Sequence, residues 1–350
     1  MKSRLSGSLR MSVAVIGGAL WLMTSVGRAQ TPTGTATTKG SAPRTSWGRP
    51  DLSGMWTMQD DSSTPLERPR EFGARAYLTD EELAQKKNRE EASAEDNKAD
   101  RSAVRGANYK GNEEGPTYWY ERGVSPRTSL IIDPPDGRLP PMTPEAQQEH
   151  AAFVALMRTH SEADSSQDRT SNERCINRAL PRIPASYNNG IQILETPDFV
   201  VLAYEWMHDT RIIPLDGRPH VGANIHQWTG DPRGHWEGNT LVVDSTNFTD
   251  KQEYAASPAG MIGQGTPQGR WHLIERLTLV GPNAIEYKAT VEDLTTWTKP
   301  WTMMLTWKKD PNYKIFEYGC HEGNYGMTNI LSGARSEERA TRAAASKIGE

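Results

Sequence analysis

Between residues 272 and 307 the chain alternates apolar and polar side chains three times over. Residues 272–280 set Leu273, Glu275, Leu277 and Leu279 on one side, and His272, Ile274, Arg276, Thr278 and Val280 on the other. Residues 284–293 set Ile285, Tyr287, Ala289 and Val291 against Glu286, Lys288, Thr290 and Glu292. Residues 301–307 set Trp301, Met303, Leu305 and Trp307 against Thr302, Met304 and Thr306. A period of two is the period of a pleated strand. Gly281-Pro282-Asn283 is a turn of hairpin length, so the strands are antiparallel neighbours with one apolar face. Lys309-Asp310-Pro311-Asn312 would turn the chain into a further strand over 313–321.

The stretch 198–245 repeats the theme. In 198–205, Phe199, Val201, Ala203 and Glu205 oppose Val200, Leu202 and Tyr204. Residues 208–215 read as a second strand, closed by Leu215-Asp216-Gly217-Arg218-Pro219. Residues 238–244 read as a third, entered through the loop Gly230-Asp231-Pro232-Arg233-Gly234. Residues 190–195 precede them as another strand, and 127–133 as a short one stopped by Pro134-Pro135. The fold class these runs predict is mainly β. An antiparallel meander is curled into a barrel or half-barrel, lipocalin-like in architecture, with one or two peripheral helices and long irregular segments.

The helices announce themselves by their caps. Thr143-Pro144-Glu145 starts a helix over 143–160, with Phe153, Leu156, Met157 and His160 on one stripe that would pack on the sheet. Thr79-Asp80-Glu81-Glu82 is a capping box. The helix it opens, from 80 to about 97, is highly charged and reads as part of a solvated insert over 79–115. Tyr118-Trp119-Tyr120 reads as core. Residues 249–270 are rich in Gly and Pro and read as a long loop, of the kind that carries lids or binding groups. Residues 332–350 have helical propensity but no apolar face, so a loose tail is expected. The single β-rich domain spans 47–331.

The N-terminus reads as a secretory signal over 1–29: Lys2, Arg4 and Arg10, then the apolar run 11–26, then small residues before a cleavage point after Ala29. That run falls short of the about 20 residues a membrane span needs, so no stable membrane anchor is expected. Residues 30–46 form a Thr/Gly/Ser/Pro leader with nothing to bury. A periplasmic or secreted location changes how the only two cysteines are read. Cys175 and Cys320 are expected to form a disulfide, because such a compartment permits it. A formal net charge of −4 with no basic block argues against nucleic acid as a partner.

Two carboxylates interrupt the inward pattern. Glu275 lies between leucines, and Glu205 ends the face begun by Phe199. A carboxylate so placed must pair, protonate or meet a wet cavity. That is how an acid–base group is prepared, and also how a structural ion pair with Arg211 or another arginine would look. The catalytic candidates are Glu275, His208, His321, Glu205 and Arg211; on an alternating strand His208 and Arg211 face opposite sides. His321 follows Cys320 directly, so a disulfide would fix its place. The substrate-binding candidates are Trp206, His220, His226, Trp228 and Trp301, since tryptophans line sugar and lipid sites and histidines crowd the connections between strands. No cofactor is expected. A divalent metal at His220 and His226 is left open, without a spacing signature behind it.

Several motifs recur together: Asp51-Leu52-Ser53-Gly54 with Trp56, Asp133-Pro134-Pro135-Asp136-Gly137-Arg138, Ile213-Pro214-Leu215-Asp216-Gly217-Arg218-Pro219-His220, Gly234-His235-Trp236-Glu237-Gly238-Asn239-Thr240-Leu241-Val242-Val243-Asp244, and Glu317-Tyr318-Gly319-Cys320-His321-Glu322-Gly323-Asn324-Tyr325. In this set the chain resembles a family of exported bacterial proteins of unknown function, common in environmental species. The resemblance covers most of the mature chain. It implies export and a shared scaffold, and carries over no catalytic residue.

Two functions fit these observations. One is a periplasmic enzyme using carboxylate and histidine acid–base chemistry, as a lyase, isomerase or hydrolase, on a small partly apolar or sugar-like substrate. The other is a non-catalytic lipocalin-like protein whose Trp-lined cavity binds a lipophilic or aromatic ligand. A cavity with Glu275 facing a histidine would favour the first; a cavity lined only by apolar groups, with Glu275 neutralised by an arginine, would favour the second. Either takes a small molecule as partner, and neither fixes an oligomeric state.

Overall fold

The computed structural model describes residues 43–104, 121, 123–158, 163–251, 254 and 270–348, with the side chains of 93–104, 157, 347 and 348 outside it. The signal and most of the leader therefore lie outside the described residues, as do Tyr118-Trp119-Tyr120 and most of the 249–270 loop. The described strands are β1 Gly54–Thr57, β2 Ile131–Asp133, β3 Gly190–Glu195, β4 Phe199–Tyr204, β5 Thr210–Pro214, β6 Asp231–Glu237, β7 Thr240–Thr246, β8 His272–Gly281, β9 Ala284–Glu292 and β10 Trp301–Lys309. The helices are α1 Asp80–Val104, α2 Pro144–Met157 and α3 Tyr325–Ile348.

Nine strands form one antiparallel path in the order β5-β4-β3-β1-β10-β9-β8-β7-β6, with β2 beside β10. β1 joins the early hairpins to the late meander by pairing β3 on one side and β10 on the other. The two ends of the path, β5 and β6, nearly meet and close the sheet into a barrel. Gly234 of β6 makes that approach possible: a Cβ there would stand 2.7 Å from Ile213 and Leu215 of the β5 end. The alternation read from sequence is the barrel's inside and outside. Leu273, Glu275, Leu277, Ile285, Tyr287, Ala289, Val291, Trp301, Met303, Leu305 and Trp307 are all fully buried. They join Trp56, Ile191, Ile193, Val200, Leu202, Ile213, Leu241 and Val243 in one core. Tyr287 stacks on Trp307 with ring centroids 4.6 Å apart.

Four local expectations need correction. The segment 230–234 is not a loop but opens β6, whose Pro232 is tolerated because β6 ends the path and proline is accepted on edge strands. Residues 313–321 are not a strand: β10 already has β9 on one side and β1 and β2 on the other, so no edge is left for them. The tail is not loose. Asn324 Oδ1 accepts the Met327 N–H at 3.2 Å and starts α3. Met327, Leu331, Ala334, Arg335 and Glu338 then make a half-buried stripe at helical spacing, and Arg335 donates to the carbonyls of Asp164 at 2.9 Å and Ala163 at 3.2 Å. Finally, α2 is capped as read, with Thr143 Oγ1 accepting from Ala146 N at 3.1 Å, but Leu156 of its expected packing stripe is exposed and Ala146 is its buried residue. The capping box of α1 is present in both directions, between Thr79 Oγ1 and Glu82 N and between Glu82 Oε2 and Thr79 N.

Candidate functional site

Inside the barrel, Glu275 meets Arg211. The guanidinium donates to both carboxylate oxygens, Nη1 to Oε1 at 2.8 Å and Nη2 to Oε2 at 2.5 Å. Arg211 also donates to Ser245 Oγ at 3.1 Å, and the Tyr287 hydroxyl donates to Glu275 Oε1 at 2.8 Å. The side chains of the pair are 1% and 0% exposed. Burial by itself lowers the Arg211 guanidinium, but the Glu275 charge, the hydrogen bond to it and the neighbouring Tyr204 and Tyr287 together outweigh burial and hold the group above its ordinary value. Burial, then the same carboxylate, pushes the Tyr287 phenol well up, so it stays a donor. Each group's charge or proton is thus consumed by its neighbours. Trp301, a candidate binding residue, is fully buried in the core.

At one end of the barrel the chain turns from β4 into β5 through residues 205–209. Met207 (φ 64°) and His208 (φ 53°) take left-handed backbone there, a costly conformation outside glycine. Glu205 is buried; it accepts from the Tyr313 hydroxyl at 2.5 Å and from Phe316 N at 3.3 Å. That hydroxyl also lies 2.7 Å from Glu121 Oε1. His208 Nε2 accepts the Tyr318 N–H at 2.7 Å, which leaves the ring proton on Nδ1. Trp206 stacks between Tyr187, at 4.6 Å, and Tyr318, at 5.6 Å, and donates its indole N–H to Asn172 Oδ1 at 2.8 Å. The Cys175–Cys320 disulfide ties the 313–324 segment to this end, with Cα atoms 5.7 Å apart. Glu205, Trp206 and His208 are therefore brought together, but apart from Glu275, whose side-chain partners are Arg211 and Tyr287. His321 is exposed beside its bridged neighbour.

The outer face of β6–β9 carries an arrangement of a different kind. His220, from the loop after β5, places Nδ1 3.0 Å from Asp231 Oδ2 on β6 and Nε2 3.0 Å from Asp244 Oδ1 on β7. The same Asp244 oxygen lies 2.9 Å from His272 Nε2 on β8, and His272 Nδ1 lies 2.9 Å from Glu292 Oε2 on β9. The order is carboxylate, imidazole, carboxylate, imidazole, carboxylate. Strand register builds it. His272 is directly opposite Glu292, and Asp244 is opposite Ile274, one outward position away from His272. Asp231 is anchored by Val221 N at 2.9 Å and by Arg233 Nη1 at 2.7 Å. An ionised carboxylate only accepts, so a ring facing two of them can donate to one when neutral and to both only when charged. His220 and His272 keep 30% and 27% of their side-chain surface exposed, so both rings are in contact with solvent.

The other candidates sit at the margins of this face. His226 Nδ1 donates to the Phe248 carbonyl at 3.1 Å, and Trp228 is half-buried with its carbonyl taking the Asn177 amide at 3.4 Å. Sequence reasoning named His220 but missed Asp231, Asp244, His272 and Glu292, which look like ordinary outward polar residues. The signal was present in the hairpin turn at 281–283, which fixes His272 against Glu292. No three His, Cys, Asp or Glu side chains among the described residues are arranged to hold a metal ion. A surface cleft of about 330 Å³, lined in part by Phe72, Leu78, Lys86 and Arg89, contains none of the predicted site residues. No helix among the described residues is long and apolar enough to cross a membrane. The disulfide is consistent with an oxidising compartment.

Fold and site together define a nearly closed antiparallel β-barrel with a histidine–carboxylate chain on its outer face. Comparisons with family models, with curated proteins and with solved structures returned no match.

Proposed function

We propose that this chain is an exported enzyme that moves protons to and from a small, partly apolar or sugar-like substrate, in lyase, isomerase or hydrolase chemistry. His220 and His272 are its acid–base groups. One observation carries the reading: two solvent-reachable imidazoles share one Asp244 oxygen, at 3.0 and 2.9 Å, while a second carboxylate holds the far nitrogen of each. A carboxylate behind an imidazole orients the ring and stabilises its charged form, the role of the orienting group in hydrolytic triads. When Asp244 turns off either ring, an Nε2 is freed towards substrate while Asp231 or Glu292 keeps the ring in place. Glu275, spent on Arg211, is not given a catalytic role in this reading. The alternative, a lipocalin-like carrier with its ligand inside the barrel, needs space where Trp56, Tyr287, Trp301 and Trp307 are packed.

The test is a screen of the purified mature protein against sugar lactones, glycosides and aryl esters, repeated on each hit with His272→Gln and His220→Gln. The expected outcome is a loss of about 10²–10⁴ in kcat, the usual worth of general acid–base catalysis, at an unchanged melting temperature. A turnover that both variants retain in full would sink the assignment.

A further inference from the structure

Among the described residues, the aromatic end of the barrel holds a guanidinium with no carboxylate paired to it. Arg178 lies with its guanidinium over the Trp206 ring, 4.5 Å from the centroid. Its neighbour Arg182 is ion-paired with Asp209 and lies over Tyr204 at 4.7 Å. Asp209 also accepts the Arg178 backbone N–H at 3.2 Å, but its carboxylate is committed to Arg182. Among the described residues no carboxylate pairs with the Arg178 guanidinium. Burial, then the like charge of Arg182, pushes that guanidinium down to about 10. Arg178 is half-buried, and a partly desolvated cation without a counter-charge is a place where a ligand can supply the missing charge.

The surroundings are built and fixed. Trp206 is held by Asn172 and flanked by Tyr187 and Tyr318. The disulfide anchors both sides of the box, since Cys175 precedes Arg178 by three residues and Cys320 follows Tyr318 by two. Left-handed backbone at Cys175, Met207 and His208 concentrates strain around the same place. Phe316, two residues before Tyr318, leaves 71% of its surface exposed.

We propose that Arg178, within the box of Tyr187, Trp206 and Tyr318, anchors a binding site for a small monocarboxylate carrying an aromatic or apolar group. A guanidinium presents two parallel N–H donors that match a carboxylate. One uncompensated positive charge calls for one negative charge. A dianion such as phosphate would bring a second charge into a poorly hydrated place with nothing to meet it. The aromatic rings and exposed Phe316 offer apolar surface to the rest of the ligand. This site is separate from the histidine–carboxylate chain, and either assignment can fail without the other.

The experiment is titration calorimetry of the full mature, disulfide-bonded chain with benzoate, benzyl alcohol and inorganic phosphate. Wild-type protein is expected to bind benzoate saturably and to give no saturable heat with benzyl alcohol or phosphate. Arg178→Gln is expected to weaken benzoate at least about tenfold, and Arg178→Lys, which keeps the charge but loses the fork, by a smaller factor. The ligand-free melting temperature of Arg178→Gln should hold or rise, because an unpaired charge has been removed. No saturation by benzoate, phosphate binding in preference to it, or equal affinity in Arg178→Gln would overturn the proposal. A fall in the Arg178→Gln melting temperature together with lost binding would also overturn it, by assigning Arg178 to the scaffold.

Discussion

Replacing Glu275 by glutamine removes one charge from a pair that water does not reach, with 1% and 0% of the two side chains exposed. The amide keeps the volume and can still accept from Tyr287, but it cannot balance Arg211. Removing one partner of a buried ion pair costs about 3–5 kcal/mol, because the remaining charge is left uncompensated. Arg211 has no means of escape, because an arginine guanidinium stays charged in a protein even when it loses its counter-ion. For a domain of this size each kcal/mol moves the melting temperature by about 2–4 °C, so a fall of roughly 10 °C is expected. Urea unfolding followed by tryptophan fluorescence would measure the change directly, with an unchanged slope showing that the barrel still folds. The double variant Arg211→Met/Glu275→Leu removes both charges and should recover most of the loss, since well-packed apolar replacements of buried pairs are often neutral or stabilising. Catalytic turnover by the folded fraction of Glu275→Gln should be unchanged, as the proposed acid–base groups are on the other face of the sheet. A Glu275→Gln protein with unaltered stability would refute the ion-pair argument, and one with lost activity and unaltered stability would return Glu275 to the chemistry.

Two further outcomes follow from the structure. Cys320→Ser opens a bridge between residues 145 positions apart, a long loop for which chain entropy gives a loss of up to about 5 kcal/mol; equal urea midpoints for the variant and the oxidised wild type would count against it. Glu195 accepts the Leu52 N–H at 2.5 Å, yet burial, acting with the Asp51 charge and against that bond, pushes its carboxyl up from 4.5 to about 7. A folded-state value above the unfolded one gives stability that is complete below about 4.5 and is lost as pH rises through about 7. Melting temperatures from pH 5 to pH 8 should therefore fall more steeply for wild type than for Glu195→Gln, and parallel profiles would contradict this.

What could be read from the sequence was whatever repeats locally. Alternation located β8, β9 and β10 within a residue or two and named their buried side, because a strand's two faces are separated by nothing but position. It flagged Glu275 as a carboxylate among leucines and offered Arg211 as one partner, since a buried charge needs one. It failed where neighbours in space decide. The segment 313–321 has strand composition, but its fate depended on β10 having no free edge. Pro232 looked like a loop residue because the place of β6 at the end of the sheet was not visible. The histidine–carboxylate chain was hidden for a similar reason. Its five members come from a loop and four strands, and outward His, Asp and Glu residues are what any solvated face would show.

The buried pair and the outer chain also depend on each other through register. β8 carries both: Glu275 faces in, and His272, three residues earlier, faces out. A slip of one residue between β8 and its neighbours would turn Glu275 to solvent and bring His272 and Ile274 inward. Apolar residues alone give a weak defence, because Ile274 and Val280 on the outer face could be buried almost as well as Leu273 and Leu279. Arg211 from β5 and Tyr287 from β9 reach Glu275 only in the observed register. A slipped barrel would bury Arg211 without its partner, at about the 3–5 kcal/mol a broken pair costs. The pair thus acts as a pin across the interior. The distances that let His220 and His272 share one oxygen of Asp244 are set by the same register, so the polar interior positions the polar surface.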